Sequence, residues 1–177
     1  MKKIGDENIW IPQRADPYVY RHMDGSYYFT ASLPEYNGIA IRRADTLCKL
    51  AAAPEILIWR KHVRGPMGAH IWAPELHYLD GKWYLYFAAG DAERIWHIRP
   101  YVLECSGQDP LKDDWIERGM LQAADHDEFS FQGFSLDATV FEHKEKRYCI
   151  WAEKVGAGSR ISNLYIAQME TPLKLKT

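Results

Sequence analysis

Residues 16–32, DPYVYRHMDGSYYFTAS, form a pattern that recurs twice further along the chain. The second copy is APELHYLDGKWYLYFAA at residues 73–89, and the third is DATVFEHKEKRYCIWAE at residues 137–153. The first and third copies share Asp, Val, His, Tyr and Ala at the same five offsets without a gap. Three copies of one unit in a single chain are typical of a repeat architecture.

Each copy predicts a β-hairpin, because two short runs rich in Tyr, Val, Phe, Trp and Ile flank a polar turn. Asp24-Gly25 and Asp80-Gly81 supply the turn in the first two copies, whereas the third has Glu145-Lys146, which is weaker turn chemistry. Two further extended segments follow each of the first two hairpins, and one follows the third, so the predicted unit has four strands. Four antiparallel strands are the blade of a β-propeller.

The sequence therefore predicts an all-β protein, a single incomplete propeller domain over residues 1–177. Its blades are expected at about residues 16–60, 73–121 and 137–177, with the third cut short inside its last strand. An open arc of three blades exposes strand edges and apolar blade faces. Self-association through those edges is the expected consequence.

Composition narrows the class of protein. The chain is 47% apolar and 14% aromatic, which excludes a disordered chain, and its net charge of −2 makes nucleic acid an unexpected partner. It has no apolar run long enough to cross a bilayer and no secretory signal at its start, so we expect a cytoplasmic protein without membrane contact. Cys48, Cys105 and Cys149 are then expected to be buried, reduced thiols.

Two aspartates are candidate catalytic residues. Asp16 and Asp137 open the first strands of their units, at the face where propellers bind ligands. A pair of carboxylates in one pocket serves glycosidic hydrolysis, in which a base activates water and an acid protonates the leaving oxygen. Because Asp-Pro is a common turn pair, Asp16 alone would more often be a turn residue. Its repetition at Asp137 favours the catalytic interpretation over the turn.

Two further residues precede or enter the second copy. Trp72 offers an aromatic face to the apolar side of a sugar ring, and the alternative is a hydrophobic plug between the first two blades. Glu75 is expected to hydrogen-bond sugar hydroxyls or neighbouring backbone. The seven histidines have no metal-ligand spacing, so no metal site is predicted from them.

Three motifs in this order resemble glycoside hydrolase family 43: RADP at residues 14–17, WAPEL at residues 72–76 and SLDATVF at residues 135–141. The resemblance runs from about Ile9 to the end of the chain and covers the N-terminal part of the five-bladed propeller of that family. It implies an α-L-arabinofuranosidase, β-xylosidase or arabinanase that acts on oligosaccharides with inversion. The first motif and its surroundings are most similar to the arabinofuranosidase branch, with β-xylosidase as the alternative.

The resemblance also implies roles for single residues. Asp16 would be the general base, and Asp137 would tune and orient the general acid. Trp72 would stack on the terminal sugar, with Phe134 lining the same subsite. The resemblance implies no organic cofactor, although members of the family can hold a calcium ion on the axis.

The general acid of the family is a Glu in a Glu-Gly-Pro setting, and this chain has no such motif. After Asp137 the sequence has only four glutamates, Glu142, Glu145, Glu153 and Glu170, and none of them opens a new blade. We therefore expect little or no activity on natural glycosides from these residues alone. A carbohydrate-binding propeller without catalysis is the alternative function.

Overall fold

The computed structural model describes residues 9–154 and 162–176. In these ranges the chain forms three antiparallel sheets of four strands each, and in each sheet the strands follow one another in chain order. A short 3-10 helix, Leu47–Ala51, lies in the first sheet between its last two strands. The strands are β1 Ala15–Arg21, β2 Tyr27–Ser32, β3 Gly38–Ala44, β4 Ile56–Arg60, β5 Ala69–Leu79, β6 Lys82–Gly90, β7 Arg99–Cys105, β8 Ile116–Met120, β9 Phe134–His143, β10 Lys146–Lys154, β11 Asn163–Thr171 and β12 Lys174–Leu175.

The all-β prediction is confirmed, and the sheets form a partial β-propeller with β1, β5 and β9 as adjacent inner strands. The third sheet has a short fourth strand, β12, of two residues. Pro172 turns the chain back on itself, and β12 then pairs with β11 and forms a bridge to Gln122. The bounds of the three blades stay a prediction.

The middle sheet joins the two halves of the core. All residues of β6 from Trp83 to Gly90 are buried, and alternate side chains point to opposite faces of the sheet. Trp83, Leu85 and Phe87 pack toward the first sheet, whereas Tyr84 and Tyr86 pack toward the third. A strand covered on both faces has no polar face to give to solvent, which explains its nearly continuous apolar sequence.

The inner strands repeat one backbone irregularity. Each has an extra residue opposite its partner strand, a β-bulge, at Asp16-Pro17, Ala73-Pro74 and Asp137-Ala138. The first residue of each bulge has a left-handed φ, of 52° at Asp16, 46° at Ala73 and 54° at Asp137. A left-handed φ is energetically unfavourable for residues with a Cβ. Because the same conformation recurs in all three sheets, the bulge is a regular part of the repeat.

The pairing of strands corrects the ungapped alignment of the copies. Leu136 pairs with Ala152, as Trp72 does with Ala88, whereas in the first sheet Ala15 pairs with Ser32. The first hairpin has one more residue, because its turn is longer than the turns of the other two. The counterpart of Ala152 is therefore Ser32, and the sequence matches in the second strands lie one residue out of register.

The third hairpin turn also lies one residue earlier than predicted. His143 pairs with Lys146, so Lys144 and Glu145 form a two-residue turn, with φ of 48° and 61°. Asp80-Gly81 forms the same kind of turn in the second sheet. Turns of this type need positive φ at both positions, which Lys and Glu adopt less readily than Asp and Gly.

The three cysteines are free thiols, as expected, but only Cys105 and Cys149 are buried. Cys48 is exposed on the 3-10 helix, because Leu50 takes the buried side of that turn. The prediction of burial is thus wrong for Cys48. Within the described ranges, no helix is long and apolar enough to cross a membrane.

Candidate active site

One pocket brings together carboxylates from all three sheets. It has a volume of about 170 Å³ and lies where the inner strands have their bulges. Six residues line it: Asp16, Pro17, Tyr18, Ala73, Glu75 and Asp137. Asp16 and Asp137, which the sequence predicted to converge, therefore lie in one cavity, and Glu75 lies with them.

The bulges explain how the two aspartates reach the pocket. In a regular strand, neighbouring side chains point to opposite faces, whereas a bulge bends the strand and re-aims the side chain of its extra residue. Asp16 and Asp137 are the first residues of their bulges, with the same left-handed φ. The repeat thus delivers two carboxylates to the pocket by the same local device.

Ser32 fixes the carboxylate of Asp16 by a hydrogen bond. The Ser32 hydroxyl donates a hydrogen bond to Asp16 Oδ2 at 2.7 Å and accepts one from the backbone N–H of Ala73 at 2.8 Å. Ser32 is buried whereas Asp16 is exposed, so the bond between them is only partly shielded from water. One oxygen of Asp16 is therefore fixed by the protein, while Oδ1 makes no hydrogen bond within the described residues.

Asp137 has a different environment. No side chain or backbone group of the described residues donates a hydrogen bond to its carboxylate. Burial raises the pKa of Asp137 above its usual value, and the negative charges of Asp16 and Glu75 raise it further. In this pocket, Asp16 is fixed by a hydrogen bond, whereas Asp137 is not and has a raised pKa.

Glu75 belongs to a polar chain beneath the pocket. Its Oε2 lies 3.1 Å from Nε2 of the buried His77, and Nδ1 of His77 lies 3.5 Å from the hydroxyl of Tyr18. Burial raises the pKa of Tyr18, and the charge of Glu75 adds to this effect. The neutral phenol is the form that the site maintains, and His77 fixes the orientation of Glu75.

Trp72 lies immediately before the pocket residue Ala73 but does not itself line the cavity. Its ring contacts Tyr36 of the loop after β2, with centroids 5.9 Å apart, and His70 of its own strand, at 4.5 Å. It is partly exposed. Trp72 therefore packs across the first two sheets and still has ring surface at the same end of the molecule as the pocket.

Phe134 lines a cavity other than the carboxylate pocket. This second pocket, of about 380 Å³, is formed by Trp96, Phe134 and Lys154. Phe134 begins β9, three residues before Asp137. That Phe134 lines the same subsite as Trp72 stays a prediction.

The four glutamates after Asp137 have other contacts, and none of them lines the carboxylate pocket. Glu142 pairs with Arg147, and Glu170 pairs with Lys174. Glu153 is buried and accepts hydrogen bonds from the backbone of Phe131 and Gly133 and from Trp151 Nε1, at 2.7–2.9 Å. Its carboxylate therefore shapes the loop that precedes β9.

The aromatic residues of the loop before β9 have two different environments. Phe131 is buried and packs on Trp151, so this part of the loop is core packing. Phe134 lines a pocket instead. The loop therefore contributes both to the core and to the lining of a pocket.

A calcium ion on the axis would need several oxygen ligands around one point. Within residues 9–154 and 162–176, no three or more His, Cys, Asp or Glu side chains are placed to hold a metal ion together. A calcium ion on the axis stays a prediction of the resemblance, since backbone carbonyls and water also bind Ca²⁺.

Sequence reasoning missed three residues of this site: Tyr18, Ser32 and His77. His77 follows Glu75 by two positions in a regular part of β5, so the two point to the same side of the strand. Tyr18 lies just after the bulge at Asp16-Pro17 and lines the pocket with Asp16. Ser32 was hidden by the ungapped alignment, which placed Ala31 in its position. An alignment with a one-residue gap in the third copy, at the turn, pairs Ser32 with Ala152 and would have identified Ser32 as a site residue.

Comparison with known proteins identifies the family. The model of "Glycosyl hydrolases family 43" matches residues 7–177. The chain belongs to glycosyl hydrolase family 43. It is 48% identical over 169 residues to an extracellular exo-α-(1→5)-L-arabinofuranosidase of Streptomyces chartreusis, covering 96% of this chain and 50% of that protein. A protein of the same name from Streptomyces avermitilis is 49% identical over 165 residues, covering 93% of this chain and 33% of that protein.

A solved structure agrees with this assignment. The crystal structure of an α-L-arabinofuranosidase from Lactobacillus brevis has a TM-score of 0.83 and 51% identity, covering 96% of this chain and 53% of that one. The chain thus spans about half the length of that protein and of the Streptomyces chartreusis relative. It corresponds to the N-terminal part of the family fold.

The cytoplasmic prediction is wrong, because both Streptomyces relatives are named extracellular enzymes. The prediction rested on the residues at the start of the sequence and on the lack of an apolar run long enough to cross a bilayer, and the expectation of reduced thiols followed from it. Free thiols do not specify a compartment, since a buried Cys behaves as a small apolar side chain wherever the protein resides.

Proposed function

We propose that this chain supplies half of the catalytic site of a secreted exo-acting α-L-arabinofuranosidase. The observation that carries the proposal is the pocket in which Asp16, Glu75 and Asp137 meet from three different sheets. The names of the similar proteins support the sugar and the extracellular location. The substrate would be an oligosaccharide with a terminal α-L-arabinofuranosyl residue.

In the proposed reaction, Asp16 acts as the general base. Ser32 holds Oδ2, which leaves Oδ1 to accept a proton from a water molecule in the pocket. The oxygen of that water forms a bond to the anomeric carbon as the bond to the leaving oxygen breaks on the opposite face. The product sugar therefore has the inverted configuration.

Asp137 and Glu75 have supporting roles in this proposal. Asp137 lies in the same pocket and is proposed to tune and orient the proton donor. Glu75, fixed by His77, is proposed to bind hydroxyls of the sugar. Trp72 would stack on the apolar face of that sugar.

The proton for the leaving oxygen is proposed to come from a part of the family fold that this chain does not cover. Among the described residues, no fourth carboxylate lines the pocket. Loss of a general acid lowers the rate by about 10² to 10⁴. We therefore expect the 177-residue chain alone to be a weak catalyst, and its rate to rise when the rest of the fold is supplied.

A chimera tests the proposal. In it, this chain replaces the aligned 169 residues of the Streptomyces chartreusis relative. We expect hydrolysis of an α-L-arabinofuranoside with an inverted first product in ¹H NMR, and much slower hydrolysis of the matching β-D-xylopyranoside. A preference for the xyloside would instead support β-xylosidase.

The catalytic assignment has its own test. Asp16→Ala in the chimera should abolish turnover while sugar binding persists. Turnover that is unchanged by this substitution would reject Asp16 as the base, and sugar binding without any turnover in the unmodified chimera would support the binding-module alternative.

A further inference from the structure

Two buried, oppositely charged side chains contact the loop that leads into β9. Glu153, near the end of β10, is 1% exposed, and Arg99, at the start of β7, is 8% exposed. Burial lowers the pKa of Arg99, and the charge of Glu153 opposes this effect. A buried charge is unfavourable unless hydrogen bonds and an opposite charge offset it. The hydrogen bonds of the two side chains therefore indicate what the pair stabilises.

The partners of both side chains are consecutive peptide groups of that loop. Glu153 Oε2 accepts a hydrogen bond from the N–H of Phe131 at 2.9 Å, and Oε1 accepts one from the N–H of Gly133 at 2.7 Å. Between them, the carbonyl oxygen of Gln132 accepts a hydrogen bond from Arg99 Nη2. We call these five residues the loop clamp.

The clamp is closely packed. Trp151 Nε1 also donates a hydrogen bond to Glu153 Oε2, at 2.9 Å, and the Trp151 ring packs on Phe131. A Cβ at Gly133 would lie 2.7 Å from the carbonyl oxygen of Lys154 and 3.2 Å from Glu153 Oε1. A larger residue than glycine would therefore displace the loop from β10.

The clamp lies at the entry to the strand that carries Asp137. Glu153 pairs with Ser135, two positions before Asp137, and the N–H of Ser135 donates a hydrogen bond to Ile98 O at 3.1 Å. Asp16 has a hydroxyl donor of its own, whereas no group in the described parts of the chain donates to the Asp137 carboxylate. The direction of the Asp137 side chain therefore depends on the backbone of β9.

The other two sheets have apolar residues at the position of Glu153. By strand register, that position corresponds to Leu33 in the first sheet and to Ala89 in the second. Both side chains are buried and cannot accept hydrogen bonds from a loop. The buried carboxylate thus occurs in the sheet whose aspartate depends on its backbone alone.

We propose that Glu153 and Arg99 are positioning residues, which hold Asp137 at the carboxylate pocket by fixing the loop before β9. Neither side chain lines that pocket, so both act through the backbone. If the clamp were loosened, the Asp137 carboxylate would move toward water. The inference rests on the proposed function, because in that reaction Asp137 orients the proton donor.

Substitutions of opposite charge test the proposal. In the 177-residue chain, the side-chain carboxyl ¹³C signal gives the pKa of Asp137, which we compare with its value in Glu153→Gln and in Arg99→Gln. A charge effect alone would move this pKa in opposite directions, because losing the anion lowers it and losing the cation raises it. We expect the pKa to fall in both variants, by at least about 0.5, because a carboxyl group that moves toward water ionises more easily.

Two further variants separate positioning from charge and from stability. Gly133→Ala changes no charge but places a Cβ 2.7 Å from the backbone of β10, so it should displace the loop and also lower the pKa of Asp137. Glu104→Gln is the matched control, since Glu104 is also buried and binds Arg118 near the opposite end of β7. It should lower the free energy of unfolding and leave the pKa of Asp137 unchanged.

Thermal unfolding establishes that each variant folds, and Gly133→Ala decides the question if a charge variant does not. Opposite changes of the Asp137 pKa in Glu153→Gln and Arg99→Gln, or an unchanged pKa in Gly133→Ala, would reject the positioning role and leave the proposed function standing. In the chimera, Glu153→Gln should also lower kcat about tenfold with little change in KM. A chimera without any turnover would reject the proposed function without changing the pKa result.

Discussion

Asp16 in the first sheet and Asp137 in the third occupy the same bulge of the same repeat, but one of them accepts a hydrogen bond from the neighbouring strand and the other does not. Ser32 donates a hydrogen bond to Asp16, whereas the equivalent position in the third sheet is Ala152. Burial and its acidic neighbours raise the pKa of Asp137. The repeat thus provides two identical side chains in different surroundings, and different tasks are proposed for them.

The largest effect is expected at the base itself. In the chimera, Asp16→Asn should lower kcat by about 10² to 10⁴, because no group remains to take the proton from water. Asp137→Asn should lower it less, because Asp137 does not accept that proton. Glu142→Gln is the control, since Glu142 is exposed and pairs with Arg147 away from the pocket. An equal loss in the two aspartate variants would contradict the division of tasks.

The hydroxyl that distinguishes the two aspartates is the next target. Ser32→Ala should lower kcat/KM about tenfold, because Asp16 loses its fixed orientation. It should also lower the free energy of unfolding by about 1–3 kcal/mol, because the N–H of Ala73 is left without its acceptor.

Thr30→Val provides a matched control for this variant. The Thr30 hydroxyl is buried and donates a hydrogen bond to Pro74 O at 2.6 Å, between the same two strands, without contact to Asp16. Thr30→Val should lower the free energy of unfolding by an amount comparable to Ser32→Ala and change kcat/KM little. A loss of activity equal to that of Ser32→Ala would mean that the Ser32 hydroxyl acts only through the fold.

Much of this comparison could be predicted from the sequence. The recurring Asp and the hairpins around it predicted the repeat, the all-β fold and the convergence of Asp16 and Asp137. Their different surroundings could not be predicted, because they depend on strand register. One additional residue in the first turn moves Ser32 next to Asp16, and an ungapped alignment conceals that shift.

The second pocket, lined by Trp96, Phe134 and Lys154, could not be predicted from the sequence either. The resemblance implied that Phe134 lines the subsite of Trp72, but it gave no sign of the pocket that Phe134 forms with Trp96 and Lys154. Trp96 stacks on His70, which has a left-handed φ in a bulge of β5. Neither fact has a signature in residue type or spacing.

Removing the charge of Asp137 should stabilise the fold slightly. A carboxyl group with a raised pKa in the folded state binds its proton more tightly there, so stability falls as the pH rises from the unfolded pKa through the folded one. Asp137→Asn should therefore raise the free energy of unfolding at pH 7, by less than about 1 kcal/mol because the residue is partly exposed. Thermal unfolding at pH 7 and at about pH 3 measures it, and a gain that persists in acid would contradict the electrostatic cause.

The smallest effect is expected from giving the third sheet the hydroxyl of the first. Ala152→Ser should place a donor near Asp137 and lower the pKa of Asp137, because a hydrogen bond to the charged form favours that form. The change in stability should be within about 0.5 kcal/mol. An NMR titration of the side-chain carboxyl ¹³C signal measures the pKa. An unchanged value would mean that the register of the two sheets differs more than the strand pairs indicate.

The central claim is that two aspartates from different sheets share one pocket and influence each other. The most direct test is the same NMR titration of Asp137 in the 177-residue chain and in its Asp16→Asn variant. We predict that the pKa of Asp137 falls toward its ordinary value when the charge of Asp16 is removed. A pKa that is identical in the two proteins would contradict the shared pocket.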